Sequence, residues 1–327
     1  MLIKNKNNDE IELEIFSGEA EVDGALDCLV SVFGNKENYY HPERFDPEYL
    51  KKEIRGNRIK LFTGKAANGD TAVTLSLIKN PFFNKAYELC ALAVSEGYRG
   101  FHAGEAFTEA VLSKSGDTLF YAYAVLFYPH SAISLNENKF VSTGFVPGIA
   151  RADKYLSQLN LNSQKHTYAM FVKNDGQVSV NPVYVPEEIT DLTKDVYNSL
   201  NAEPVIKNNG SLKQNSVIEY NHDSINETLF IYVTQCGNDL FTDISEIENK
   251  HKTPLNSNVL FLNINEPSAI DGYGTLRERG YTFNGFMPLC GDYEYIIMTK
   301  TNEAYIDYDE LQMTDELKAF YERIKNV

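Results

Sequence analysis

The stretch Tyr87–Leu112, YELCALAVSEGYRGFHAGEAFTEAVL, decides the fold. Tyr87 to Val94 is apolar enough for a central strand, and Phe107, Ala110 and Val111 share one face of a helix. Between them lies the small-residue loop Ser95 to Gly104, with glycines at 97, 100 and 104. A loop of this kind, opening a helix, can aim backbone N–H groups at phosphate oxygens, and the helix dipole adds to the attraction. The same glycines equally suit a tight strand-to-helix turn without a ligand.

Upstream, Ile11 to Phe16 alternates apolar and charged residues as a half-buried strand does, and Ala25 to Phe33 has near-helical apolar spacing. Pro47 to Arg55 reads as a short charged helix closed by Gly56. Ile59 to Thr63 and Thr71 to Ile78 then form a hairpin around the turn Asn68 to Asp70. Downstream, Leu119 to Tyr128 is an aromatic-rich strand and Ser131 to Phe140 a short helix. Phe145 opens another strand, and His166 to Val172 is the next. Asn174 to Pro186, with Asp175-Gly176, Pro182 and Pro186, reads as a linker. This places one domain at 1–177 and a second at 178–327.

The second part reads helix (Glu187 to Leu200), strands (Ser216 to Tyr220, Thr228 to Thr234), helix (Asp239 to Lys250) and strand (Asn258 to Ile264). It closes with a helix (Ala269 to Arg279, stopped by Gly280), two strands (Tyr281 to Phe286, Tyr293 to Thr299) and a helix capped by Thr314. Lys139 to Pro147 parallels Leu276 to Phe283, each with a helix stopping at glycine before an aromatic opens a strand; this aligns Gly144 with Gly280 and suggests a repeated fold.

At 327 residues and 43% hydrophobic content the chain can bury two ordinary cores. Thirty Lys and Arg against 46 Asp and Glu give a formal charge of -16. That charge opposes the phosphate attraction that nucleic-acid binders depend on, so no nucleic-acid partner is expected. The same field would concentrate cationic small molecules such as polyamines or lysine-like amines. Cys28, Cys90, Cys236 and Cys290 are far apart, without C-x-x-C or zinc spacing, which points to reduced thiols, a cytoplasmic location and no metal. The N-terminus lacks an apolar signal region and no apolar run approaches the roughly 18 residues of a membrane span, so no membrane association is expected.

The stretch from Tyr87 resembles motif A of the GNAT superfamily of N-acetyltransferases: an apolar strand, Arg/Gln-x-x-Gly-x-Gly/Ala, then a helix. Arg99, His102 and Gly104 take the arginine, middle-glycine and last-glycine positions. His102 thus departs from the pattern, and Glu105 adds a carboxylate where a pyrophosphate would lie. The resemblance covers residues 11 to 174, and bacterial proteins in which a GNAT domain precedes a second, GNAT-like half are similar in segments such as Gly285 to Pro288. It implies a mixed, mostly antiparallel α/β sheet flanked by helices, followed by a degenerate GNAT-like domain.

The resemblance further implies acetyl-CoA as cosubstrate. Its pantetheine would lie along Leu92, Ala93 and Val94, and its pyrophosphate on Arg99, Gly100, Phe101, His102, Ala103 and Gly104. It implies direct attack of an amine on the thioester, with a base and an acid. Glu88 stands at the base position; Tyr128, His130 and Tyr123 are nearby candidates for the acid, and His130 suits either role. The family's usual acid, a tyrosine about four residues before a Gly-Phe pair, is replaced by Phe140, or by Asn136 with one turn inserted. The acceptor would be the amine of a small molecule or peptide, met by the variable segment Asn35 to Pro47 and the second half. A non-catalytic ligand- or partner-binding protein is the alternative, and a purely structural scaffold a third reading. Asp239 sits where a second phosphate site would have to be.

Overall fold

The computed structural model describes residues 1–4, 10–34, 42–152, 161–176 and 180–327. The first half runs β1 (Leu2–Lys4), β2 (Glu10–Ser17), α1 (Val22–Phe33), α2 (Pro47–Arg55), β3 (Ile59–Ala66), β4 (Thr71–Lys79), β5 (Tyr87–Val94), α3 (Ala103–Ser115), β6 (Leu119–Val125), α4 (His130–Glu137), β7 (Val141–Arg151) and β8 (Lys165–Asn174). The second runs β9 (Val183–Tyr184), α5 (Thr190–Ser199), β10 (Ile206–Lys207), β11 (Val217–Asp223), β12 (Thr228–Gln235), α6 (Leu240–Lys250), β13 (Ser257–Asn263), α7 (Ala269–Glu278), β14 (Thr282–Met287), β15 (Tyr295–Thr301) and α8 (Asp315–Lys325).

Asp46 opens α2 by accepting from the Glu48 and Tyr49 N–H groups, with Pro47 in the first turn. Thr314 caps α8 by accepting from the Leu317 N–H, as its sequence position predicts. The expected linker is partly structured, since β9 pairs in parallel with β10. The boundary placed at 177–178 lies outside the described residues.

Among the described residues, thirteen strands form one mixed, mostly antiparallel sheet in the order β1-β2-β3-β4-β5-β6-β8-β7-β14-β15-β13-β12-β11. The segment β4-β5-β6-β8-β7 recurs as β11-β12-β13-β15-β14. In each, an antiparallel hairpin feeds a helix and a parallel strand, and the last strand inserts between the two before it. The halves meet where β7 and β14 run antiparallel, paired at Gly144 and Gly285. A residue meeting its own counterpart is what a local twofold axis requires.

That pairing corrects the sequence alignment of the two halves. Helix α4 stops at Glu137, and Lys139, not Gly144, takes the left-handed conformation at φ 62° that Gly280 takes at φ 83° after α7. Lys139 therefore matches Gly280, and five residues on Gly144 matches Gly285. Strand β7 accordingly begins at Val141, four residues before the Phe145 that the sequence suggests.

The loop between β4 and β5 carries the other main seam. Phe83 is 1% exposed and packs edge-on against Tyr121, Phe261 and Tyr295, while Phe82 stacks on Tyr232 at 3.6 Å. Complete burial of one such ring contributes about 1.5–3 kcal/mol, so these two phenylalanines fasten the halves.

Lys165 of β8 is fully buried and donates from Nζ to the Asn226 and Glu227 carbonyls at 2.5 and 3.0 Å and to Thr228 Oγ1 at 3.1 Å. It thereby holds the turn between β11 and β12 against the first half. Burial pushes its pKa down from 10.5 to about 7, with Glu227 and Asp223 opposing the shift. Between those values the unfolded chain keeps a proton that the folded chain has released, so this lysine makes stability rise with pH from about 7 to 10.5. The unfolding free energy of the wild type minus that of Lys165→Met, followed by urea denaturation, should climb across that window. A flat difference would remove Lys165 from the pH dependence.

Candidate functional site

Strands β5 and β6 run parallel but pair only at Tyr87↔Phe120 and Glu88↔Tyr121. A bulge explains the parting: Ala91 has φ 53°, and the register with β4 slips between Thr74 and Ser76. The backbone after Glu88 therefore leaves the ladder with β6, and a cavity of about 430 Å³ fills the splay. Glu88 and Leu92 reach it from β5, Tyr123 from β6, Thr108 from α3 and Ser134 from α4. The opposite wall comes from the second half, through Asp223 and Phe230.

Glu88 is half-buried, and Tyr121 Oη donates to its Oε2 at 3.2 Å. This fixes one carboxylate oxygen. Burial, reinforced by the Glu88 charge, holds the phenols of Tyr121 and Tyr123 well above the ordinary tyrosine pKa. Both therefore keep their protons at neutral pH, and Tyr123 brings one to the cavity.

Along the loop, Gly100 and His102 both have positive φ, 84° and 54°. His102 thus adopts the conformation for which glycine is favoured, at a cost on the order of 1 kcal/mol. As N-cap of α3 it gives no side-chain cap, and the first intrahelical bond reaches back only from Ala106. The N–H groups of Ala103, Gly104 and Glu105 have no acceptor within the helix, as at any helix start. A Cβ on Gly104 would meet nothing closer than Val94 at 3.5 Å, so local packing does not demand glycine there.

The exposed Arg99 folds back, Nε donating to the Val94 carbonyl at 3.3 Å. Leu92 lines the cavity, whereas Ala93, Val94 and residues 99–104 lie outside its lining. Thr108 is 2% exposed, and its hydroxyl has no hydrogen-bond partner among the described residues. An orphaned hydroxyl in an open splay fits a ligand that brings its own polar atoms, as the amides of pantetheine would.

Of the other sequence candidates, Tyr128 is 42% exposed and His130 is an exposed first residue of α4, and neither lines the cavity. Phe140 lies beyond the end of α4 in the core, with Asn136 one turn earlier on the helix. Cys236 is buried, and burial pushes its thiol up to about 12, which withholds a thiolate. The sequence reading singled out none of Arg44, Asp223 and Phe230, although Arg44 lies within the expected acceptor segment Asn35 to Pro47 and the other two within the second half.

The second half has no comparable splay. β12 and β13 pair without interruption from Thr228↔Ser257 to Val233↔Leu262. Asp239, ahead of α6, accepts from the Ser216 N–H at 2.6 Å, so a carboxylate holds the place where a phosphate would have to lie. Among the described residues, no cluster of three or more His, Cys, Asp or Glu could hold a metal. No helix there is long and apolar enough to cross a membrane.

No family model matches the chain, and no curated protein matches it. Among solved structures, it is similar to a spermidine N-acetyltransferase from Vibrio cholerae, at 14% identity and a TM-score of 0.39, over 50% of this chain and 94% of that one. It is also similar to a ribosomal-protein-S5-alanine acetyltransferase from Vibrio fischeri, at 15% identity and a TM-score of 0.36, over 52% and 94%. Within the chain itself, the element order around motif A and the parting of β5 from β6 fit the sequence resemblance, whose family holds its cofactor between splayed strands. The first half of the chain thus has the mixed, mostly antiparallel sheet flanked by helices that the resemblance to the GNAT superfamily implies.

Proposed function

We propose that the chain is an N-acetyltransferase that moves an acetyl group from acetyl-CoA to the amine of a small molecule or peptide by direct attack. The observation that carries this reading is that Glu88 and Tyr123, on the two splayed strands, face one cavity beside the orphaned Thr108 hydroxyl. Acetyl-CoA would supply the activated acyl group. Leu92 to Val94 would hold its pantetheine by backbone hydrogen bonds, and the start of α3 with Arg99 to Gly104 its pyrophosphate. Glu88 takes the proton of the attacking amine, and Tyr123 returns one to the departing thiolate.

Tyr123 fills the acid role better than Tyr128 or His130, because it lines the cavity and they do not. The second half serves as a wall of the acceptor site, held there by Lys165 and the Phe82-Phe83 seam. The four buried free thiols suit a reducing compartment such as the cytoplasm.

Free-thiol release from acetyl-CoA over a panel of amines tests this. At least one amine should release thiol above the blank, and Tyr123→Phe should cut kcat for it by about a hundredfold or more. No release with any amine would sink the enzyme reading. His102, Glu105 and the folded-back Arg99 favour a second reading, a non-catalytic binding protein, which predicts CoA binding without thiol release.

A further inference from the structure

The charges around the cavity are unequal in what they have left to offer. Asp223 of β11 is spent on its own turn: Oδ1 accepts from the Ile225 and Asn226 N–H groups at 3.0 Å each, and Oδ2 from Asn226 Nδ2 at 2.6 Å. That turn is in turn fixed by Lys165 and by Arg151, whose backbone N–H donates to Asn226 Oδ1 at 3.3 Å. The Glu88 carboxylate, by contrast, has one hydrogen bond among the described residues, from Tyr121 to one of its two oxygens.

The same cavity is lined by a buried cation. Arg44 is 8% exposed and lines the same cavity, and it stands close enough to the Cys90 thiol to act on it, as does Glu88. Cys90 follows Glu88 by two residues on β5, so Arg44 and Glu88 flank one short segment of the cavity wall. Arg44 has other interactions as well, and its five N–H donors can serve an anion beside them. The remaining lining is largely aromatic, from Tyr123, Tyr168, Phe230 and Tyr232.

We infer that the acceptor is a small zwitterionic amine of amino-acid type, its anionic group on Arg44 and its amine at Glu88. This rests on the acetyl-transfer reading only in making Glu88 the amine end. A polyamine would place a cation near Arg44, whereas an amino acid brings an anion there. Like charge beside Arg44 disfavours the polyamine, against the preference that the net charge of -16 would suggest.

The test is calorimetric titration of the full-length protein, without acetyl-CoA, against the standard L-amino acids, their α-amides and spermidine. One or more amino acids should bind, with the matching amide at least roughly tenfold weaker. Arg44→Gln should weaken the acid by about thirtyfold or more and erase the difference between acid and amide. Arg44→Lys should retain part of it, and circular-dichroism melting checks that both variants fold. Equal binding of acid and amide, tightest binding by spermidine, or no binding by any compound would overturn the inference. Failure of the acetyl-transfer reading looks different: amino acids would bind with the acid preference intact, yet no thiol would be released.

Discussion

Glu88→Gln should slow acetyl transfer by about 10²–10⁴-fold, the usual worth of a general base, while leaving the affinity for CoA within about twofold. Glutamine matches the shape of Glu88 and can still accept from Tyr121 Oη, whose 3.2 Å bond orients the native side chain. The fully buried Tyr121 and its neighbours in the splay would therefore hold their places. What glutamine cannot do is take the proton that an ammonium must lose to become a nucleophile. Steady-state kinetics should show the loss in kcat with KM for acetyl-CoA unchanged. An undiminished kcat would remove Glu88 from the mechanism, and a loss of CoA affinity of the same size would make its role structural.

The largest expected effect on stability belongs to Gly285→Ala. A Cβ at this position would stand 2.3 Å from Gly144 Cα and 2.4 Å from the Thr143 carbonyl oxygen, backbone against backbone where nothing can rotate away. Gly285 also has φ 121°, a conformation that L side chains rarely adopt. Overpacking and backbone strain together should cost on the order of 3–5 kcal/mol. The contrast is Gly104→Ala, where the new Cβ makes only ordinary contacts at 3.5 and 3.7 Å with Val94 and Leu92. That change should be neutral or stabilising by up to about 1 kcal/mol, since alanine is the better helix former. Urea denaturation of both variants checks this, and a Gly285→Ala protein within about 1 kcal/mol of wild type would contradict the close crossing of β7 and β14.

The strand, loop and helix of Tyr87–Leu112 were legible in the sequence because apolar periodicity there switches cleanly at a glycine-bearing loop. The end of α4 was not. Lys139 terminates that helix in a left-handed conformation without glycine, while Gly144, which looks like the stop, serves the close approach of Gly285. Local signals cannot separate a glycine required by its own φ from one required by a neighbour 141 positions away. The same limit governs the site. Glu88 and Tyr123 could be placed from their strands, but Arg44, Asp223 and Phe230 come together only through tertiary contacts. Residues 35–41 of the segment expected to shape the acceptor site, Asn35 to Pro47, lie outside the described residues, whereas Arg44 within that segment does line the cavity.

Among the described residues the splay after Glu88 has no counterpart in the unbroken pairing of β12 with β13, so the proposed acetyl-CoA cleft lies in the first half. Calorimetric titration of the full-length protein with acetyl-CoA measures this directly. One molecule should bind per chain, and the site should be lost when Gly104→Val fills the start of α3 while circular dichroism shows the fold intact. No binding at millimolar acetyl-CoA, or two equivalent sites per chain, would contradict it.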